Sequence, residues 1–175
     1  MQTYYSFTQF FNNVCNAHPN IKTFTHGDLS DVNLLKQELF PIAHLIIDSI
    51  TVSSGQMTYG CNLLVMDVVR NIQQVADSTG NYNVLVEDYK TNTNIIDVYS
   101  STLSTTNDIW SYVFRNPTAL SYNIYDDAVI TPFDDRFDNS LAGMSMVFNV
   151  VVGNDNNICV TSLDVNLADG GQPAC

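Results

Sequence analysis

Sixteen aspartates and three histidines are the side chains of this 175-residue chain best suited to metal or acid–base chemistry. His26 and Asp28 stand two apart in a predicted turn, either as a ligand pair or, as the preferred reading, as a capping turn. His44 and Asp48 fall on one predicted strand face, about 13 Å apart along an extended chain. That is too far to share one metal ion unless other groups converge, so a partly buried histidine with hydrogen-bond partners is expected. Asp126, Asp127, Asp134, Asp135 and Asp138 place five acids within 13 residues around Arg136. A calcium loop needs oxygen ligands at alternate positions, whereas these acids come in adjacent pairs interrupted by Phe133 and Phe137. The pattern predicts an intersubunit rim: Arg136 pairs with a carboxylate, Asp134 and Asp135 lie beside it, and the two Phe rings anchor the contact. The competing reading is a solvated turn whose Phe rings fold back onto their own core.

Cys15, Cys61, Cys159 and Cys175 form no CxxC pair. Cys15 falls on a predicted helix and Cys61 in a predicted strand, where a small apolar residue serves. Neither a disulfide framework nor a zinc site is expected. No GxSxG, HExxH, Walker or GxGxxG motif occurs, and no nucleophile setting is recognisable. The reading is of a protein that is not an enzyme and carries no cofactor.

Eighteen acidic residues oppose six basic ones, for a net charge of −12, and no Lys or Arg follows Arg136. Gripping DNA requires basic side chains that displace counterions, so that role is disfavoured. A surface that DNA slides past without sticking is compatible with the charge. Charged residues make up only 14% and hydrophobic ones 45%, so much of the surface is expected to be covered by other subunits. The first 17 residues have no basic or apolar stretch of the signal-peptide kind. No run approaches the roughly 18 apolar residues of a membrane span. A reducing cytoplasm and no membrane contact are expected.

The positioning elements follow from periodicity. Ser6 to Gln9 resembles a capping box, and Phe7, Phe10, Phe11 and Val14 mark a helical face that ends near Ala17, before Pro19. Ile21 to Thr25 reads as a short edge strand, and Asp28 or Ser30 as the cap of a short helix through Leu39. Ile42 to Val52 and Gln56 to Val69 form a first hairpin through Ser53-Ser54-Gly55. Residues 70–93 are polar apart from Val84-Leu85-Val86 and read as an excursion that needs a neighbour. Residues 94–115 read as a helix with 96, 99, 103, 106, 110 and 113 inward.

Tyr122 to Thr131 and Leu141 to Val152 then form a second long hairpin around the acidic corner PFDDRFDN. Pairing is expected to stop or jog at Pro132. In the returning arm Ala142, Met144, Met146, Phe148, Val150 and Val152 share one face. Ile158 to Leu167 is a further candidate strand and 168–175 a frayed tail. The fold class read from this order is α+β: one domain over 1–175, an antiparallel sheet of two long hairpins with helices layered on one face.

Three blocks carry a family resemblance. They are the aromatic first helix followed by HPNIKTFTHGD, the pair FPIAHLIIDSITV and MTYGCNLLVMDVV, and a helix ending in FRNP followed by ITPFDDRFDNSLAGMSMVFNVVV. Together they resemble the tail terminator and head–tail joining (tail completion) proteins of tailed bacteriophages. The resemblance implies a structural virion protein, made in the bacterial host cytoplasm, that assembles with itself into a ring expected to be hexameric. Its partners would be the tail tube protein and neck or connector proteins, with DNA passing through an acidic pore. The rival readings are a small acidic metal-dependent hydrolase using the 126–138 carboxylates and a soluble monomeric binding module.

Overall fold

The computed structural model describes residues 4–29, 39–53, 55–70, 93–115, 122–124, 127–134 and 141–153. In chain order the elements are α1 (Tyr4–Ala17), β1 (Thr23–His26), β2 (Ile42–Ser53), β3 (Gln56–Val68), α2 (Ile95–Arg115), β4 (Tyr122–Ile124), β5 (Val129–Asp134) and β6 (Leu141–Gly153). The protein mixes α and β structure. Its sheet runs β1-β2-β3-β6-β4, with β5 also paired to β6.

The centre of the sheet is β3, flanked by β2 and β6, each antiparallel to it. The β2–β3 hairpin matches its sequence signal, with Gly55 at φ 78° in the turn, a conformation that favours glycine. The sheet is not purely antiparallel, however. β1 lies at the edge as expected, but parallel to β2, with Thr25 opposite His44. A parallel neighbour needs a long crossover rather than a tight turn, and residues 27–41 supply it.

The second expected hairpin differs more. Its outgoing arm is two strands, β4 and β5, laid end to end along β6. Pairing does not stop at Pro132, which sits opposite Met144 and is followed in register by Phe133 and Asp134. β5 is an edge strand, so a residue without an N–H is tolerated where its nitrogen faces away from β6.

Alternation divides the sheet into two faces. Tyr59, Cys61 and Leu63 of β3 share one with Val150, Phe148 and Met146 of β6, and both helices cover it. Phe7 of α1 stacks on Tyr59 at 4.5 Å between ring centroids, Phe11 meets Phe148 at 5.7 Å, and Trp110 of α2 meets Phe148 at 5.8 Å. The opposite face is also buried at one end, where Phe40, Ile42, Leu64, Met66, Phe133 and Leu141 form a second cluster. This explains why Leu141, Gly143 and Ser145 are buried along with their even-numbered neighbours.

Both helices match their expected extents at the C-terminal end but not in detail. Helix α1 already runs from Tyr4, ahead of the proposed capping box, so Ser6 is not its cap. The Thr8 hydroxyl donates instead to the Tyr4 and Tyr5 carbonyls. The expected inward stripe of α2 holds at Thr106 and Val113 but is turned elsewhere. Ile96 and Leu103 are exposed, while Val98, Thr102, Thr105, Thr106, Ile109 and Val113 are buried. Thr102 and Thr106 donate to the carbonyls four residues back, each at 2.7 Å. Their hydroxyls are thereby satisfied inside the helix, and their methyls pack as apolar groups.

The expected short helix through Leu39, the strand 158–167 and the tail 168–175 lie largely or wholly outside the described residues, as does nearly all of the 70–93 excursion. Its two ends are clasped: the Arg70 amide donates to Asn94 Oδ1 at 2.7 Å, and the Asn94 amide donates to the Arg70 carbonyl at 3.2 Å.

Two outcomes are expected. Replacing residues 72–91 with a short Gly-Ser linker leaves a cooperatively melting domain, since the ends already meet and each halving of a loop lowers closure cost by about 0.6 kcal/mol. Loss of the circular-dichroism melting transition would show that the segment belongs to the core. Secondly, Gly143→Ala places a Cβ onto the Val65 carbonyl and 2.8 Å from the Met66 Cα. Because backbone cannot move aside, a loss of about 3 kcal/mol is expected in urea denaturation. Gly55→Ala, with open space around it, should lose only about 1–2 kcal/mol from its positive φ.

Candidate functional site

The histidine and acid positions singled out from sequence regroup in space. His44 lies in β2 on the face away from the helices and is fully buried. Parallel pairing brings Thr25 alongside it. His44 Nε2 lies 3.2 Å from the Gly27 carbonyl oxygen, and Nδ1 lies 2.7 Å from Thr25 Oγ1. A carbonyl only accepts, so Nε2 carries the proton; Nδ1 of the neutral ring then accepts from the Thr25 hydroxyl. Gly27 holds φ 106°, which turns its carbonyl toward the ring.

Burial pulls the His44 pKa below its ordinary value. The Gly27 bond and the Asp28 charge oppose that fall, and His26 adds to it. His26, Asp28 and His44 are therefore neighbours, although the sequence paired the first two apart from the third. Asp48 does not join them. A bulge between Ile47 and Ser49 removes it from the ladder, and its charge acts on Cys61, whose side chain faces the helices. The shared strand face expected for His44 and Asp48 is lost because one extra residue reverses the alternation. With both ring nitrogens occupied by its own chain, His44 locks β1 to β2. Among the described residues, no three His, Cys, Asp or Glu side chains converge as a metal group would require.

At the acidic corner, Phe133 is buried in the second cluster of its own chain, the intramolecular placement. Asp127 and Asp134 are exposed. Asp126, Asp135, Arg136, Phe137 and Asp138, like Val84, Leu85 and Val86, lie outside the described residues.

Two concavities lie beside the helices. One is an apolar groove of about 510 Å³ between α1 and α2, lined by Phe10, Val14, Ala17, Ile109 and Tyr112. At its end the His18 Nδ1 accepts from the Asn20 amide, leaving Nε2 to meet Asp108 at 3.5 Å. The other, about 500 Å³, is a polar cleft between residues 19–22, Pro41, the end of β3 and the hydroxyl face of α2. Sequence reading missed both, since it placed Leu103 rather than Thr105 on the inner face of α2. A period that counted every threonine as apolar, not Thr106 alone, would have found the observed stripe.

The pH dependence of stability follows from His44. The folded state keeps the ring neutral, whereas the unfolded chain protonates it near 6.5. Below that pH the unfolded state binds more protons, so stability is full at pH 7 and falls as pH drops through 6.5 toward the lowered folded value. His44→Gln should lower the melting temperature at pH 7 and flatten its decline between pH 7 and 5. An undiminished slope in the variant would exclude His44 as the source.

Comparison with known proteins gives no matching family model and no matching curated protein.

Proposed function

We propose that this chain is a structural subunit of a ring in the virion of a tailed bacteriophage, a tail terminator or head–tail joining protein. In this reading it is an α+β subunit of two long hairpin units under a helical layer, associating with its own copies, expected to be six. The tail tube protein and neck or connector proteins are its neighbours, and DNA passes through the ring's acidic opening. It performs no catalysis.

The observation that carries the assembly reading is the apolar surface. Val129 and Val147 pair across β5 and β6 on the sheet face away from the helices and are 61% and 49% exposed. Ile50 and Val52 stand exposed at the far end of β2, and Phe114 on α2. Single exposed apolar residues are ordinary on a monomer, but a cross-strand pair and a same-face pair on two separate surfaces fit a subunit in contact with more than one neighbour. The net charge of −12 suits a wall past which DNA moves without being held.

Light scattering behind size exclusion, with electron microscopy of the same peak, tests the reading. Closed rings are expected at high protein concentration. Replacing Val129 and Val147 together with Thr should weaken association at least about tenfold, equivalent to about 1.4 kcal/mol, with the melting temperature of the protomer nearly unchanged. A strict monomer at all concentrations, both alone and with tail tubes, would overturn the proposal.

A further inference from the structure

The polar cleft beside α2 holds side chains whose bonding capacity is left unused among the described residues. Thr105 is 2% exposed, yet its hydroxyl does not turn back onto the helix as those of Thr102 and Thr106 do. Among the described residues its hydroxyl has one bond, from Asn20 Nδ2 at 3.4 Å, long for a hydrogen bond. A hydroxyl offers one donor and two acceptor positions, so most of the capacity of Thr105 is open to the cleft it lines.

Two opposite charges line the same cleft. Lys22 follows α1, and Asp67 lies near the end of β3. Neither forms an ion pair among the described residues. Asp67 uses Oδ1 to accept from the Val68 amide at 2.7 Å, which orients the carboxylate and leaves Oδ2 available. Lys22 leads into β1 and Asp67 belongs to β3, two strands away, a lateral separation of about 10 Å. Across that gap the two side chains do not pair with each other. The gap suits a small molecule carrying both charges between them, with the flexible lysine reaching inward. The remaining wall is apolar: Pro19, Ile21, Pro41 and Val65. A volume of about 500 Å³ lies within the usual span of small-molecule sites.

We propose that this cleft binds a small zwitterion of the aliphatic α-amino-acid class. Lys22 and the Thr105 hydroxyl take the carboxylate, Asp67 takes the ammonium group, and the aliphatic side chain lies on the Pro19–Pro41 wall. This inference is independent of the assembly reading, because every residue it uses belongs to one protomer.

L-leucine is the probe, followed by amide chemical shifts of the full chain. 4-Methylpentanoate and 3-methylbutylamine, which keep the side chain but carry one charge each, are the controls. The expected result is a saturable response to L-leucine at Asn20, Asp67 and Thr105, at least about tenfold weaker for either control. Lys22→Gln and Asp67→Asn, both on the rim of the cleft, should each lose the response without lowering the melting temperature. Thr105→Val should weaken it. Absence of a saturable response to L-leucine would overturn the proposal. So would equal responses to all three compounds, which would mark a merely apolar hollow, or an unaltered response in both charge variants.

Discussion

The structure depends on a chain of aromatic contacts on the helix-covered face of the sheet. Tyr59 meets Phe7 nearly face to face, Phe7 meets Phe11, Phe11 meets Phe148, and Phe148 meets Trp110. These rings join α1, β3, β6 and α2, elements far apart in the chain, and each pair adds about 0.5–1.5 kcal/mol beyond its buried area. The contacts fix which side of β3 and β6 is inside. They also set the two helices against each other closely enough to leave a groove between them and a cleft at one end. Cys15 and Cys61 lie within the same core. Burial pushes each thiol up to about 12, so both stay protonated and act as small apolar groups.

The opposite face is constrained by polarity. A histidine near the start of β2 is buried only because Thr25 and Gly27 supply partners for both ring nitrogens; unpaired, such a group is costly. The bond network thereby secures β1, a four-residue edge strand that has little apolar surface of its own. Nearby, Gly143 lets β6 approach β3 so closely that no side chain fits. The second cluster then closes over Leu64, Met66 and Leu141, with Phe133 as one of its members. An aromatic residue in an acidic corner thus serves its own chain's packing, while the acid beside it, Asp134, stays outside.

What remains exposed divides by chemistry. The helix-free face of β5 and β6 and the end of β2 present paired apolar side chains, which suit flat contacts with other chains. The cleft below α2 presents separated charges and hydroxyls above an apolar wall, which suits a small ligand. The two kinds of surface do not share residues. The proposed assembly surfaces and the proposed ligand cleft therefore lie on different parts of the molecule and are separable by substitution.

The sequence by itself determined what depends on neighbours a few residues away. Alternation and Gly55 specified the β2–β3 hairpin, Pro19 the end of α1, and the 3–4 spacing the extent of α2. The period also grouped Met144, Met146, Phe148, Val150 and Val152 correctly. Only the tertiary structure decided which face each period turned inward and what lay across from it. The buried stripe of α2 includes Thr102, Thr105 and Thr106, since helix carbonyls satisfy two of those hydroxyls and hydropathy alone does not register this. Pro132 stays in a strand because β5 is at an edge. Asp48 leaves His44 because a bulge intervenes, and His44 gains Thr25 and Gly27 through a parallel pairing 17 to 19 residues away. Each of these depends on a partner brought near by packing, and a local pattern carries no record of a partner distant in the chain.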